Sequence, residues 1–104
     1  MPFVYILHCR DGSLYTGATR NLARRLSEHQ AGSASKYTRA RRPVALAWSF
    51  AVRTWRRALQ LEIRIKQLAR GAKLELISGS RSLPSRRSAP RRREPRRRPR
   101  RSTM

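Results

Sequence analysis

Residues 2–9, PFVYILHC, are apolar almost without interruption, and residues 13–18, SLYTGA, form a second run of strand-compatible residues. Two such runs separated by Arg10-Asp11-Gly12 predict a β-hairpin. The spacing of apolar positions then becomes helical. Asn21 stands in front of LARRLSEHQA as an N-cap and Gly32 behind it as a stop, which predicts a helix over residues 22–31. The polar stretch SASKYTRARR reads as a loop, and VALAWSFAV, residues 44–52, has the apolar density of a third, buried strand. Thr54 caps a second helical run that ends at Gly71, although arginines in its first turn oppose the helix dipole. AKLELI, residues 72–77, predicts a short third helix. The order β-β-α-β-α-α predicts an α+β fold: a small three-stranded mixed or antiparallel sheet flanked by helices.

The length of the hairpin loop decides which side chains meet. A three-residue loop pairs Cys9 with Ser13, Leu7 with Tyr15 and Tyr5 with Gly17, so that Tyr5 and Tyr15 lie on one face as diagonal neighbours. A two-residue Asp-Gly turn would put them on opposite faces. Gly17 beside them leaves room for a backbone or a ligand. In the first helix Leu22, Arg25, Leu26 and His29 share a face while Arg24 points away, and Arg25 and His29 can reach one anion. In the second helix an apolar stripe of Trp55, Ala58, Leu59, Ile65 and Ala69 carries Glu62 in its middle. A carboxylate there is costly unless paired or bound to a metal. Each residue also has an ordinary reading: strand tyrosines usually pack, a histidine among leucines is usually a satisfied core residue, and a glutamate among arginines finds a salt bridge.

Charge adds a partner to this picture. The 104 residues hold 26 Lys and Arg against five Asp and Glu, a formal net charge of +21. The composition changes near Gly79, and residues 80–104 are almost entirely Arg, Pro and Ser, with one leucine and no aromatic residue. Too little apolar surface is available there to offset chain entropy, so this tail is predicted to be disordered and residues 1–79 to form the domain. Eleven arginines and one acid lie in the tail, which leaves fifteen bases against four acids in the domain. Such an excess points to a polyanion, nucleic acid before a membrane surface. Lys36, Tyr37, Arg39, Arg41 and Arg42 form a basic loop with one aromatic, a candidate nucleic-acid grip. The single cysteine, Cys9, excludes an intramolecular disulfide and fits a reducing compartment. The N-terminus has neither the leader of a signal peptide nor the length of a membrane span, so a cytosolic protein is expected.

Val4-Tyr5-Ile6, Tyr15-Thr16-Gly17 some ten residues on, Arg25 and His29 at ten and fourteen positions past Tyr15, and a helix with Glu62 followed by Ile65-Lys66 together resemble the GIY-YIG nuclease family. The likeness runs from residue 3 to about 78, and the SKYT and RRPV segments between Ser35 and Val44 are similar to its small single-domain bacterial branch, the YhbQ-like proteins. The resemblance implies a metal-dependent endonuclease that hydrolyses DNA phosphodiesters, in repair or in processing of branched, nicked or single-stranded DNA. It also implies roles. Tyr5 and Tyr15 position or activate the attacking water, Arg25 holds the scissile phosphate, His29 serves as hydrogen-bond partner or base, and Glu62 holds Mg²⁺ or Mn²⁺. An asparagine that some members carry later has no counterpart after Glu62. The chemistry suits these types, since a guanidinium and a metal neutralise the charge that develops on phosphoryl oxygens. Tyr5 is the expected base, its pKa of about 10 lowered by cations such as Arg25 and Lys36, with His29 as competitor. The alternative is a non-catalytic nucleic-acid-binding module in which the tail supplies salt-dependent affinity. RNA as a further substrate, a targeting partner protein and the oligomeric state stay open.

Overall fold

The structure, a computed structural model, describes residues 1–83, so the arginine-rich segment beyond Leu83 lies outside the described residues. Strands β1 (Phe3–Cys9) and β2 (Leu14–Thr19) form the hairpin, followed by α1 (Leu22–Ala31), the single-turn α2 (Lys36–Arg39), β3 (Val44–Ala51), α3 (Trp55–Lys66) and α4 (Arg70–Ser78). The sheet is antiparallel throughout, in the order β2-β1-β3. Gly12 takes the left-handed conformation at φ 86° and closes a three-residue loop, with Cys9 N donating to Ser13 O at 2.9 Å. The register is the one that loop requires, Leu7 opposite Tyr15 and Tyr5 opposite Gly17.

Alternation along β1 sends its side chains to two separate cores. Val4 and Ile6 pack with Val52, Ala58, Leu61, Ile65 and Leu76, the contribution of α3 and α4. Tyr5, Leu7 and Cys9 pack with Val44 and, partly exposed, Tyr15, Leu22 and Leu26, so α1 covers the other face. Gln30 ties α1 to the start of β3 by donating to Val44 O through Nε2. Cys9 is a free, buried core residue.

Three expectations about elements are corrected. First, β3 is not a buried strand: it is an edge of the sheet, and Leu46 and Phe50 are 42% and 43% exposed. Continuous apolar sequence means burial only where both faces are covered, and the helices here cover the centre. Second, the polar loop contains α2, whose first turn is capped by Ser35 accepting from Thr38 N at 3.1 Å. Third, the second helix ends at Lys66 rather than Gly71, and Gly71 lies inside α4. The last turn of α3 tightens, with Leu68 N donating to Ile65 O at 3.0 Å, and the chain turns before Ala69 so that Leu76 returns to the core that Ile65 enters. Ala69 is therefore exposed; within α3 the buried face is set by Ala58, Leu61 and Ile65, and Leu59 lies off it, exposed. No helix among the described residues is long and apolar enough to cross a membrane.

Candidate active site

α1 carries two of the candidate residues, and its ends fix its position. Asn21 accepts from Arg24 N at 3.0 Å, and Gly32, at φ 85°, sends its N–H back to Glu28 O and His29 O. These caps hold His29 against the sheet, where it is 1% exposed. Tyr5 Oη lies 2.8 Å from His29 Nε2, and Thr38 Oγ1 lies 2.8 Å from His29 Nδ1. Thr38 Oγ1 is also within 3.2 Å of Ser35 Oγ. With Thr38 donating onward to Ser35, Nδ1–H donates to Thr38 and Nε2 accepts the phenol proton of Tyr5. Thr38 is fully buried and belongs to the site, although it was absent from the sequence-based candidates. Its signal was the Ser35/Thr38 pair of hydroxyls three residues apart.

Gly17 makes this arrangement possible. A Cβ at Gly17 would lie 2.5 Å from Tyr5 Oη and 2.6 Å from its Cζ. The space expected for a ligand is thus taken by the ring of Tyr5, which crosses β2 at that point.

Burial sets the ionisation of the pair. Desolvation, followed by the proximity of Tyr15, pushes the Tyr5 phenol well above its ordinary value, and Glu62 and Glu28 add to the effect while Arg25 opposes it. The expectation that cations would lower Tyr5 is corrected: one partly exposed guanidinium does not offset the burial of a tyrosine that is 2% exposed. Desolvation and then Arg25 hold His29 below its ordinary value, with Glu28 opposing. The imidazole is accordingly neutral at neutral pH and suited to accept the Tyr5 proton. Because the folded chain refuses a proton that the unfolded chain takes up below about pH 6.5, this stability is present above that value and lost as pH falls through the folded pKa. Tm is expected to fall between about pH 7.5 and pH 5 in the native chain and to change less in His29→Gln. Equal slopes in thermal melts would remove His29 from the account.

The remaining candidates surround this buried pair with more exposed chemistry. Tyr15, half-buried, packs edge-on to His29 with ring centroids 5.2 Å apart. Arg25, 38% exposed, lies 3.4 Å from Glu28 Oε1, yet its buried Nε has no aligned hydrogen-bond partner. Glu62, 20% exposed, pairs with Lys66 at 3.3 Å rather than with an arginine, and its charge reaches Tyr5. Among the described residues no three His, Cys, Asp or Glu side chains converge on one point. A single half-buried carboxylate fits Mg²⁺, which keeps most of its waters and requires few protein ligands.

The basic loop divides. Arg41 donates to Asp11 and to Tyr37 O, both at 3.0 Å, with its guanidinium 3.9 Å from the Tyr37 ring centroid. Arg42 donates to Arg39 O and Gln30 O and lies against Gly32. Both hold the loop together. Tyr37 has Arg41 over its ring and Tyr15 at 5.8 Å, so the free stacking face expected for it is largely occupied. Lys36 and Arg39 are exposed and available to phosphates.

A family model described as the GIY-YIG catalytic domain matches residues 1–75. A UPF0213 protein of Bacillus velezensis is 48% identical over 79 residues, covering 76% of this chain and 80% of its own. A UPF0213 protein of Halobacterium salinarum is 45% identical over 77 residues, covering 74% of this chain and all of its own. The solution NMR structure of the UPF0213 protein BH0048 from Bacillus halodurans matches with a TM-score of 0.50 and 42% identity over 75% of this chain and 84% of that one.

Proposed function

Because the chain belongs to the GIY-YIG nuclease family, alongside small UPF0213 proteins, we propose that it is a divalent-metal-dependent endonuclease that hydrolyses DNA. One observation carries the reading. The buried Tyr5–His29–Thr38 hydrogen-bond chain backs Tyr15, while Arg25, whose Nε has no aligned hydrogen-bond partner, and Glu62 carry opposite charges that both act on Tyr5.

Arg25 holds a nonbridging oxygen of the scissile phosphate and takes up the charge that develops there. Tyr15, the more accessible of the two tyrosines, positions the attacking water. Tyr5 and His29 are too enclosed to touch the strand, so they act as positioning residues that hold Tyr15 and the α1 face carrying Arg25. Glu62 would hold the cation, Mg²⁺ or Mn²⁺, which when bound supplies charge neutralisation at the leaving oxygen and a more acidic water. Lys36 and Arg39 grip neighbouring phosphates. The substrate lies among repair or processing intermediates such as nicked, branched or single-stranded DNA, and the protein works in the cytosol.

The test is cleavage of a labelled panel of single-stranded, nicked, branched and duplex DNA, with matched RNA, by the full chain in Mg²⁺, in Mn²⁺ and in chelator. Metal-dependent cuts in at least one DNA form are expected. Tight binding without cleavage across the panel would assign the chain to binding alone.

A further inference from the structure

An open groove of about 280 Å³, lined in part by Arg25, lies between α1 and the start of α3. Arg20, Arg24 and Arg25 line it, with Glu28 and Trp55. Glu28 is shared, 3.3 Å from Arg24 and 3.4 Å from Arg25. Among the described residues no carboxylate lies within ion-pair distance of Arg20. Three guanidinium groups thus face one carboxylate, an excess that a second anion would neutralise.

The anion's ligands here are side chains rather than the helix end. Asn21 already caps the first turn of α1, and Thr19 Oγ1 bonds to both the N–H and the carbonyl of Asn21 at 3.1 and 3.2 Å. Arg20 is the side chain best prepared for the task. Its guanidinium carbon sits 4.4 Å from the centroid of the Trp55 ring, and Trp55 is itself packed on the core of Val4, Ile6 and Leu61. A guanidinium held over an indole that packs on the core loses in advance much of the rotamer freedom that binding would otherwise cost, and Arg20 remains exposed to a ligand.

We propose that this groove is a second phosphate subsite, in which Arg20, held on Trp55, takes the backbone phosphate next to the one on Arg25. The inference rests on the nuclease reading for the identity of the strand, though not on turnover. Arg25 lines both regions, so a strand with one phosphate on it continues into the groove.

The experiment follows the indole N–H resonance of Trp55 by NMR, assigned with Trp48→Phe, in the full chain at low salt in chelator. The probes are a thymidine trinucleotide and its analogue with one uncharged methylphosphonate linkage. Arg20→Ala is expected to weaken the charged trimer about fivefold, and to weaken the methylphosphonate analogue much less. That coupling between protein and phosphate is the signature of a direct contact. Arg20→Lys, which keeps the charge without the planar guanidinium, is expected to fall between, and it decides the matter if the alanine variant is poorly folded. Equal loss for both trimers, or no loss for either, would overturn the subsite. Discrimination by Arg20 in a chain that never cuts DNA would overturn the nuclease reading alone.

Discussion

Glu62→Gln is expected to lower Mg²⁺-dependent cleavage of DNA by about a thousandfold while leaving affinity in chelator within about twofold. Residues 1–79 hold four acids, and three of them are committed to other partners. Asp11 is taken by Ser13 and Arg41, Glu28 by Arg24 and Arg25, and Glu75 by Arg81. Glu62 has Lys66, an exposed neighbour on the same helix, whose pairing is weak and readily exchanged for a cation. Among the four, Glu62 and Glu28 have a charge that reaches Tyr5, and Glu28 is already shared between two arginines. Glutamine keeps the shape and removes the charge, so a fall in cleavage with unchanged binding isolates the cation. Cleavage at the native rate by Glu62→Gln would place the metal elsewhere or dispense with it. The direction for binding is also informative, because removing a negative charge from a basic domain can only favour DNA.

Gly17→Ala is the second large effect. The added Cβ would overlap the end of the Tyr5 ring, and that ring has nowhere to retreat: it is 2% exposed and hydrogen-bonded to His29. The variant is expected to lose about 1–3 kcal/mol of stability from overpacking. Cleavage is expected to fall about a hundredfold through displacement of the His29 and Tyr15 rings. Thermal melts give the first number and single-turnover cleavage the second, measured well below the variant's Tm. A variant with native Tm and native rate would mean that the Tyr5–His29 contact does not matter. Loss of stability with cleavage unchanged would reduce Gly17 to a packing residue.

The hairpin was legible because its information is local. Arg10-Asp11-Gly12 with glycine in the left-handed region sets the register, and the register sets Tyr5 and Tyr15 on one face. The caps Asn21, Gly32 and Thr54 were legible for the same reason. Arg25, His29 and Glu62 could be picked out as polar groups on apolar faces. Thr38 was not, since the Ser35/Thr38 spacing marks only a local cap and its partner His29 lies nine residues away in sequence. That Arg41 and Arg42 also donate to carbonyls of their own neighbourhood was not legible, because composition does not say which partners a guanidinium finds.

The sequence by itself determined the hairpin, the order of the three strands and the three longer helices, the strong positive charge and the set of polar residues that the fold would have to accommodate. Each follows from contacts between near neighbours or from counting. Tertiary structure alone decided that β3 is an exposed edge, that α3 breaks before Ala69, and that His29 is buried between Tyr5 and Thr38. It also decided the direction of the Tyr5 and His29 pKa values. Desolvation depends on how many distant segments close over a group, and no local stretch of chain encodes that number.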